Sequence, residues 1–246
     1  MKVACISDIH GHLVNIEPCD LLLIAGDICG HAPLRTVERF GAKIQYHPPI
    51  GSADDMIYQA GWLNTWFKEW LKLIPVKEIV ATPGNHDFVF ERAPHLIDSD
   101  LRWTVLIDDI KTVLGKKIYG SPWQHWFYDW AYNAPRRNDG GEEFLTRKYD
   151  SIPDGTDIFV VHGPPYKCGD SVRRQDDIEY TGSVGLSQAI RRVKPQLSVH
   201  GHIHVGRGVE KYSYGNEIRE SIIVNAAICN EENEPVHEAM YFDIEG

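Results

Sequence analysis

No run of apolar residues approaches the roughly 18 that a membrane span requires, and Met1 to Ile6 pass into a strand with no basic leader ahead of it. No membrane association and a cytoplasmic location are therefore expected. Cysteine is sparse and unpatterned: the five at 5, 19, 29, 168 and 229 are odd in number and never spaced C-x-x-C. That argues against both a disulfide framework and a zinc–thiolate site. Positive charge is also short, with 25 Lys and Arg against 35 Asp and Glu and a formal net charge of −10. Such a surface repels polyphosphate chains, so nucleic acid is a disfavoured partner. Internal repeats and low-complexity linkers are missing, and 246 residues with 43% hydrophobic content suit one globular domain over 1–246. Nothing in the pattern bears on oligomeric state.

What the chain does contain is one arrangement repeated along its length. Lys2 to Ile6 reads as a buried strand that ends in Ser7-Asp8-Ile9-His10-Gly11-His12. Asp20 to Ala25 is nearly continuous in apolar residues, as in a parallel or mixed sheet covered by helices, and ends in Gly26-Asp27. Lys77 to Thr82 empties into Pro83-Gly84-Asn85-His86-Asp87, and Asp157 to Val161 into His162-Gly163-Pro164-Pro165. Leu197 to Val199 leads into His200-Gly201-His202-Ile203-His204, three imidazoles in five residues that fit no single strand or helix face and are expected to converge on a loop. In open α/β sheets, ligands gather at the carboxyl ends of strands. A lone Asp or His there is more often a cap or a satisfied polar group; the repetition is what points to chemistry.

Between these stretches, a short helix is expected near Leu34 to Phe40 and a longer amphipathic one from Met56 to Leu73, ended by Pro75, with its tryptophans in the core. Trp103 to Ile107, Lys111 to Leu114 and Lys117 to Tyr119 read as a meander, and Glu142 to Tyr149 and Ser183 to Val193 as helices. Val209 to Tyr212, Glu217 to Asn225 and Ala239 to Ile244 read as strands, with a Tyr-Gly-Asn turn at 214–216. Ser121 to Arg137 is crowded with Trp, Phe and Tyr and ends in two arginines. It is either a loop pinned by large rings or a lip over the site that offers stacking surfaces and cations, Trp126, Phe127 and Arg136 being the candidate substrate contacts.

Collected, the strand ends offer Asp8, His10, Asp27, Asn85, His162, His202 and His204, hard oxygens and neutral imidazoles without thiolates. This set suits manganese, iron, zinc, cobalt or magnesium rather than copper or an iron–sulfur cluster, with manganese favoured. It is too large for one ion and right for two divalent ions sharing a carboxylate, an arrangement that generates hydroxide at neutral pH and clamps both oxygens of a phosphoryl transfer.

The motifs D-x-H, G-D, G-N-H-D, H-G-P-P and G-H-x-H, in this order and over almost the whole chain, resemble the calcineurin-like metallophosphoesterases. Ile118 to Gln124, Trp126-Phe127, Trp130-Ala131, Asn133 and His162 to Pro165 resemble the MPPED-type metallophosphodiesterases in particular. The resemblance implies an α/β fold, a β-sandwich flanked by helices in four α/β/β/α layers, and hydrolysis of phosphodiesters, cyclic nucleotides included, by a metal-activated hydroxide. It places Asp8, His10 and His204 on the first metal and Asn85, His162 and His202 on the second, with Asp27 bridging. His86 would carry no metal and would protonate the leaving group, while His200, which precedes the motif, would be structural.

Protein serine/threonine phosphatases carry G-D-x-x-D-R-G, whereas Gly26-Asp27 is followed here by Ile28-Cys29-Gly30-His31, which disfavours that activity. Some vertebrate MPPED-type members have Gly at the position of His202, which weakens their second metal site; this chain keeps the histidine. A small-molecule phosphodiester is the expected substrate. The competing readings are a metal-dependent nuclease acting on nucleic-acid ends, and a non-catalytic scaffold that kept the fold.

Overall fold

In the computed structural model, which describes every residue except 40–41, 175–176, 216–219 and 246, the layering follows from side-chain alternation along the strands. In β1 (Lys2–Ile6), Val3 and Cys5 enter one apolar cluster and Ala4 and Ile6 another, and all four are fully buried. A strand buried on both faces needs a cover on each. β2 (Cys19–Ala25) runs parallel to β1 and divides its residues the same way.

β3 (Arg35–Arg39) and β4 (Ala42–Tyr46) form a separate antiparallel hairpin where the sequence suggests a short helix. The adjacent β-branched Thr36 and Val37 favour strand over helix; Phe40 lies outside the described residues. The long helical segment comprises α1 (Ala53–Trp62) and α2 (Lys68–Leu73), joined by a π-helical turn at Leu63–Phe67. Ser52 caps it by accepting from Asp55 N–H at 3.3 Å. Leu63, Phe67, Trp70 and Leu71 pack on the first sheet, but Trp66 is 70% exposed, contrary to the expectation that these tryptophans are core. The wider π turn shifts the helical register, and Trp66 falls on the solvent side.

β5 (Val76–Thr82) and β6 (Thr104–Val105) complete the first sheet, in which the C-terminal strand β15 (Met240–Asp243) lies outside β1 and the order is β15-β1-β2-β5-β6, with α3 (Phe88–Arg92) between β5 and β6 in sequence. The expected meander is therefore split: β6 pairs with β5, and only β7 (Asp109–Val113) and β8 (Lys116–Ser121) form a hairpin. After α4 (Gly141–Asp150) come β9 (Ile158–Val161) and a hairpin not foreseen from sequence, β10 (Ser171–Arg174) with β11 (Asp177–Tyr180). Then follow α5 (Val184–Val193), β12 (Leu197–His200), β13 (Gly208–Ser213), β14 (Glu220–Asn225) and β15 (Met240–Asp243). Residues 216–219, in the expected turn and strand start, lie outside the described residues.

The second sheet is ordered β13-β14-β12-β9-β8-β7. Val3, Cys5, Leu21, Leu23 and Val80 of the first sheet meet Ile118, Ile158, Val160, Leu197 and Val199 of the second. Tyr119, Phe159 and Val161 face outward onto Leu145 and Tyr149 of α4 and Leu186 and Ile190 of α5. The result is the expected four-layer α/β/β/α sandwich. Among the described residues no helix is long and apolar enough to cross a membrane. All five cysteines are free thiols.

Candidate metal centre

The parallel strands of both sheets deliver their carboxyl ends to one edge of the sandwich, where backbone bonds join the loops. Asp8 N–H donates to Gly26 O at 2.9 Å, His10 N–H to Asp27 O at 3.0 Å, and Gly201 N–H to His162 O at 3.1 Å. Asp8, His10, Asp27 and His202 all adopt the left-handed backbone region, with φ of 52°, 42°, 50° and 68°. Strain of this kind in non-glycine residues costs energy and persists where surrounding structure imposes it, commonly at functional sites. Close approach also demands glycine: a Cβ on Gly84 would stand 2.3 Å from Asp27 Oδ1, and one on Gly201 would stand 2.0 Å from Asp8 Oδ2.

The seven sequence-chosen donors come together. Asp8, His10 and His204 place ligand atoms within 4.8 Å of one another, as do Asp27, His162 and His202; a third group joins His10, Asp27 and His86. Asn85, fixed at the end of β5, sets Oδ1 2.8 Å from His162 Nε2 and 2.7 Å from His202 Nδ1. Asp27, 2% exposed, lies between the groups, with Oδ1 3.4 Å from His162 Nε2 and Oδ2 4.0 Å from His10 Nε2.

The outer ring nitrogens are already committed. His162 Nδ1–H donates to Ala25 O at 2.9 Å and His204 Nδ1–H to Asn230 O at 2.6 Å. A carbonyl can only accept, so both rings keep Nε2 for the shared centre, the tautomer a metal-bound histidine requires. Oxygen and imidazole donors, buried and pre-aimed, fit divalent metals.

Charge at the centre is strongly biased. Burial works against ionised Asp27, but His162, His86 and His10 outweigh it and hold the carboxyl well below its usual range. Burial pulls on His162 and His204 as well, yet Asp27 and Asp8 push His162 up to about 9, and the hydrogen bond His204 donates to the Asp8 carboxylate raises His204 to about 9. His10 and His202 are brought down by burial to about 4. Burial likewise holds His86 well below the ordinary imidazole value, against the pull of Asp27.

His86 faces this centre from its rim. Its N–H donates to Asp27 Oδ1 at 2.8 Å, and its Nε2 lies 3.8 Å from Asp27 Oδ2. His200 ends β12 inside the core, 1% exposed, and is not among the converging imidazoles.

A model of the calcineurin-like phosphoesterase family matches residues 1–206, a span that includes every donor above. The chain belongs to that family. Human and mouse metallophosphoesterase domain-containing protein 1 are each 32% identical to it over 203 residues, 72% of this chain and 58% of theirs. A Caenorhabditis elegans protein of the UPF0046 group is 27% identical over 253 residues, 99% of this chain and 60% of that protein. The family member described here thus spans about three fifths of the length of these relatives. A solved crystal structure overlays on 91% of this chain and 89% of its own at a TM-score of 0.54 and 18% identity, a likeness of fold. Family membership and the donor clusters point the same way, to a centre suited to divalent metal ions.

The aromatic segment divides between the cores and a cavity wall. Trp123, Ala131, Tyr132 and Ala134 pack into the cores, and Trp130 lays its ring 4.0 Å from that of His86. Trp126 and Phe127 instead line a cavity of about 240 Å³ that reaches His202 and Ile203. Arg136 is not on that wall; its guanidinium sits over the Trp126 ring at 4.2 Å, while Arg137 and Arg174 of β10 line the cavity, Arg174 paired there with the Glu179 carboxylate. The sequence reading chose Arg136 of the two adjacent arginines, and it missed Arg174 and, behind His86, His31 and Asp55. His31 had a signal of its own, an imidazole just after Gly26-Asp27.

Proposed function

We propose that this protein is a binuclear metal-dependent phosphodiesterase acting on small nucleotide diesters. The observation that carries the reading is the buried Asp27 carboxylate between two sets of pre-aimed donors. Asp8, His10 and His204 would hold one divalent ion and Asn85, His162 and His202 the other, with Asp27 common to both. Such a pair supplies Lewis-acid polarisation of the phosphoryl group and a nucleophile at neutral pH.

The remaining work falls to side chains. His86 presents Nε2 at the rim and delivers a proton to the departing oxygen, a role that contributes on the order of 10²- to 10⁴-fold. Trp126 and Phe127 offer a nucleoside base a stacking face, with Arg137 as the cation beside it and Arg174 paired to Glu179. About 240 Å³ is below the ~300–1,000 Å³ usual for drug-sized ligands and suits a single nucleoside rather than a length of polymer. The net charge of −10 also favours a small substrate over nucleic acid.

The test is a substrate panel on manganese-loaded protein: 2′,3′- and 3′,5′-cyclic nucleotides, bis-p-nitrophenyl phosphate, a nucleoside monophosphate and single-stranded DNA. Diester turnover well above that on the monoester and the DNA supports the proposal. Preference for the monoester or the DNA refutes it.

A further inference from the structure

Behind His86, on the side away from Asp27, lies a pair of polar groups that none of the donor sets includes, His31, which is half-buried, and Asp55, which is buried. His86 Nδ1 is 2.8 Å from His31 Nε2, and His31 Nδ1 is 3.0 Å from Asp55 Oδ2. Asp55 is fully buried at the start of α1, and its carboxylate also accepts from Ala32 N–H at 2.7 Å and Gly51 N–H at 2.8 Å. Trp130 covers the pair, its ring 4.0 Å from His86 and 5.6 Å from His31. Gln59 fixes the backbone beneath by donating to His86 O at 2.7 Å.

We propose that His31, braced by Asp55, is a positioning residue for His86: it holds Nδ1, so that Nε2 is the nitrogen presented to the substrate, and it shares the proton that His86 needs. The inference rests on the reading of His86 as the proton donor.

The proton count decides what this pair can do. A carboxylate only accepts, so the proton between His31 and Asp55 sits on His31 Nδ1. The nitrogen–nitrogen contact to His86 holds one more, whichever ring carries it. With a third proton on His86 Nε2, the two rings share one positive charge, balanced by Asp55. When Nε2 gives its proton to the leaving-group oxygen, the phosphorus–oxygen bond breaks with its electron pair on that oxygen. The shared proton then rests on His86 Nδ1, His31 keeps its own on Nδ1, and both rings are neutral. Water returns the third proton. Without His31, nothing accepts from Nδ1, and the ring is free to turn or to carry its proton on the wrong nitrogen.

The experiment compares His31→Ala, His31→Gln, His86→Ala and the His31→Ala/His86→Ala double variant in the manganese-loaded full chain. The substrates are a 2′,3′-cyclic nucleotide, with a poor alkoxide leaving group, and bis-p-nitrophenyl phosphate, with a good one. His31→Ala is expected to keep its metal and its KM while kcat falls by about 10- to 100-fold on the cyclic nucleotide, less than the loss of a whole general acid, and only a few-fold on the aryl diester. It should add little in the His86→Ala background, because residues acting as a unit are not additive. His31→Gln, whose carbonyl can accept from Nδ1–H, should recover part of the loss.

An independent readout is the ring ¹⁵N spectrum of the magnesium-loaded protein, where a protonated His86 Nδ1 hydrogen-bonded to His31 is expected and is lost in His31→Ala. Equal losses on both diesters, or full additivity with His86→Ala, overturn the inference. So does a His86 ring signal unchanged by His31→Ala. If His86→Ala itself shows no leaving-group dependence, the reading of His86 falls and the inference with it. If His86→Ala shows that dependence and His31→Ala does not, only the inference falls.

Discussion

One methyl group added at Gly201 should cost half of the metal centre. In Gly201→Ala the new Cβ would stand 1.9 Å from Ser7 Oγ and 2.0 Å from Asp8 Oδ2, where carbon–oxygen contact needs well over 3 Å. Both neighbours are fully buried, Ser7 is tied to Ala25 O at 2.8 Å, and the Asp8 carboxylate accepts from His202 N–H at 3.0 Å. Neither can retreat into solvent, so the Asp8 carboxylate has to move by about 1 Å or more. Overpacking of this kind typically costs about 1–3 kcal/mol, and in a domain of this size each kcal/mol lowers Tm by about 2–4 °C. A displacement of about 1 Å costs about 10²-fold in rate. The three atoms nearest the new Cβ belong to Ser7 and Asp8, so the loss falls first on the Asp8 set, and bound metal should fall from two ions toward one. Gly61→Ala is the control. Nothing lies within 4 Å of its added Cβ inside α1, and it should stabilise by about 0.5–1 kcal/mol. Elemental analysis, differential scanning calorimetry and diester turnover read all three effects. A Gly201→Ala protein with two ions, unchanged Tm and full turnover would refute the reasoning.

Metal uptake should release protons. In the metal-free protein His162 and His204 titrate near 9, so at pH 7.5 each carries a proton that a metal must displace, about two per chain. Affinity should rise with pH up to about 9 and then level off, and calorimetry in buffers of different ionisation enthalpy checks this. Trp126→Ala or Phe127→Ala should raise KM for a 2′,3′-cyclic nucleotide by about 10- to 100-fold and barely change it for an aryl diester; equal effects with a lower Tm would make these rings structural. Arg137→Ala should weaken nucleotide binding more than Arg136→Ala, since Arg136 is engaged over Trp126 outside the cavity.

Much of the centre was legible because buried strands announce themselves. Residues 21–25 are apolar on both faces, the run stops at Gly26-Asp27, and chemistry collects where such runs stop. The same signal marked Asn85, His162 and His202. His31 stood only as an imidazole a few residues past Gly26-Asp27, and Asp55 gave no such signal. Asp55 reads as an ordinary acid in the first turn of a helix, and only the folded chain brings it to His31 and His31 to His86. Arg136 and Arg137 are adjacent and chemically identical, so composition could not say which one faces the cavity. Trp66 sits on the apolar stripe of a regular helix, and the π turn that moves it to solvent has no clear mark in Leu63–Phe67. In β3 (Arg35–Arg39) the helical reading gave way to a hairpin because short amphipathic runs fit either period.

Asp27 stands between both halves of the centre, so metal content and turnover in Asp27→Ala, measured beside the unaltered protein after manganese loading, bear on it directly. About two ions per chain and diester hydrolysis are expected in the unaltered protein, and less than one ion with no hydrolysis in Asp27→Ala. An Asp27→Ala protein that kept two ions and full turnover would contradict the account.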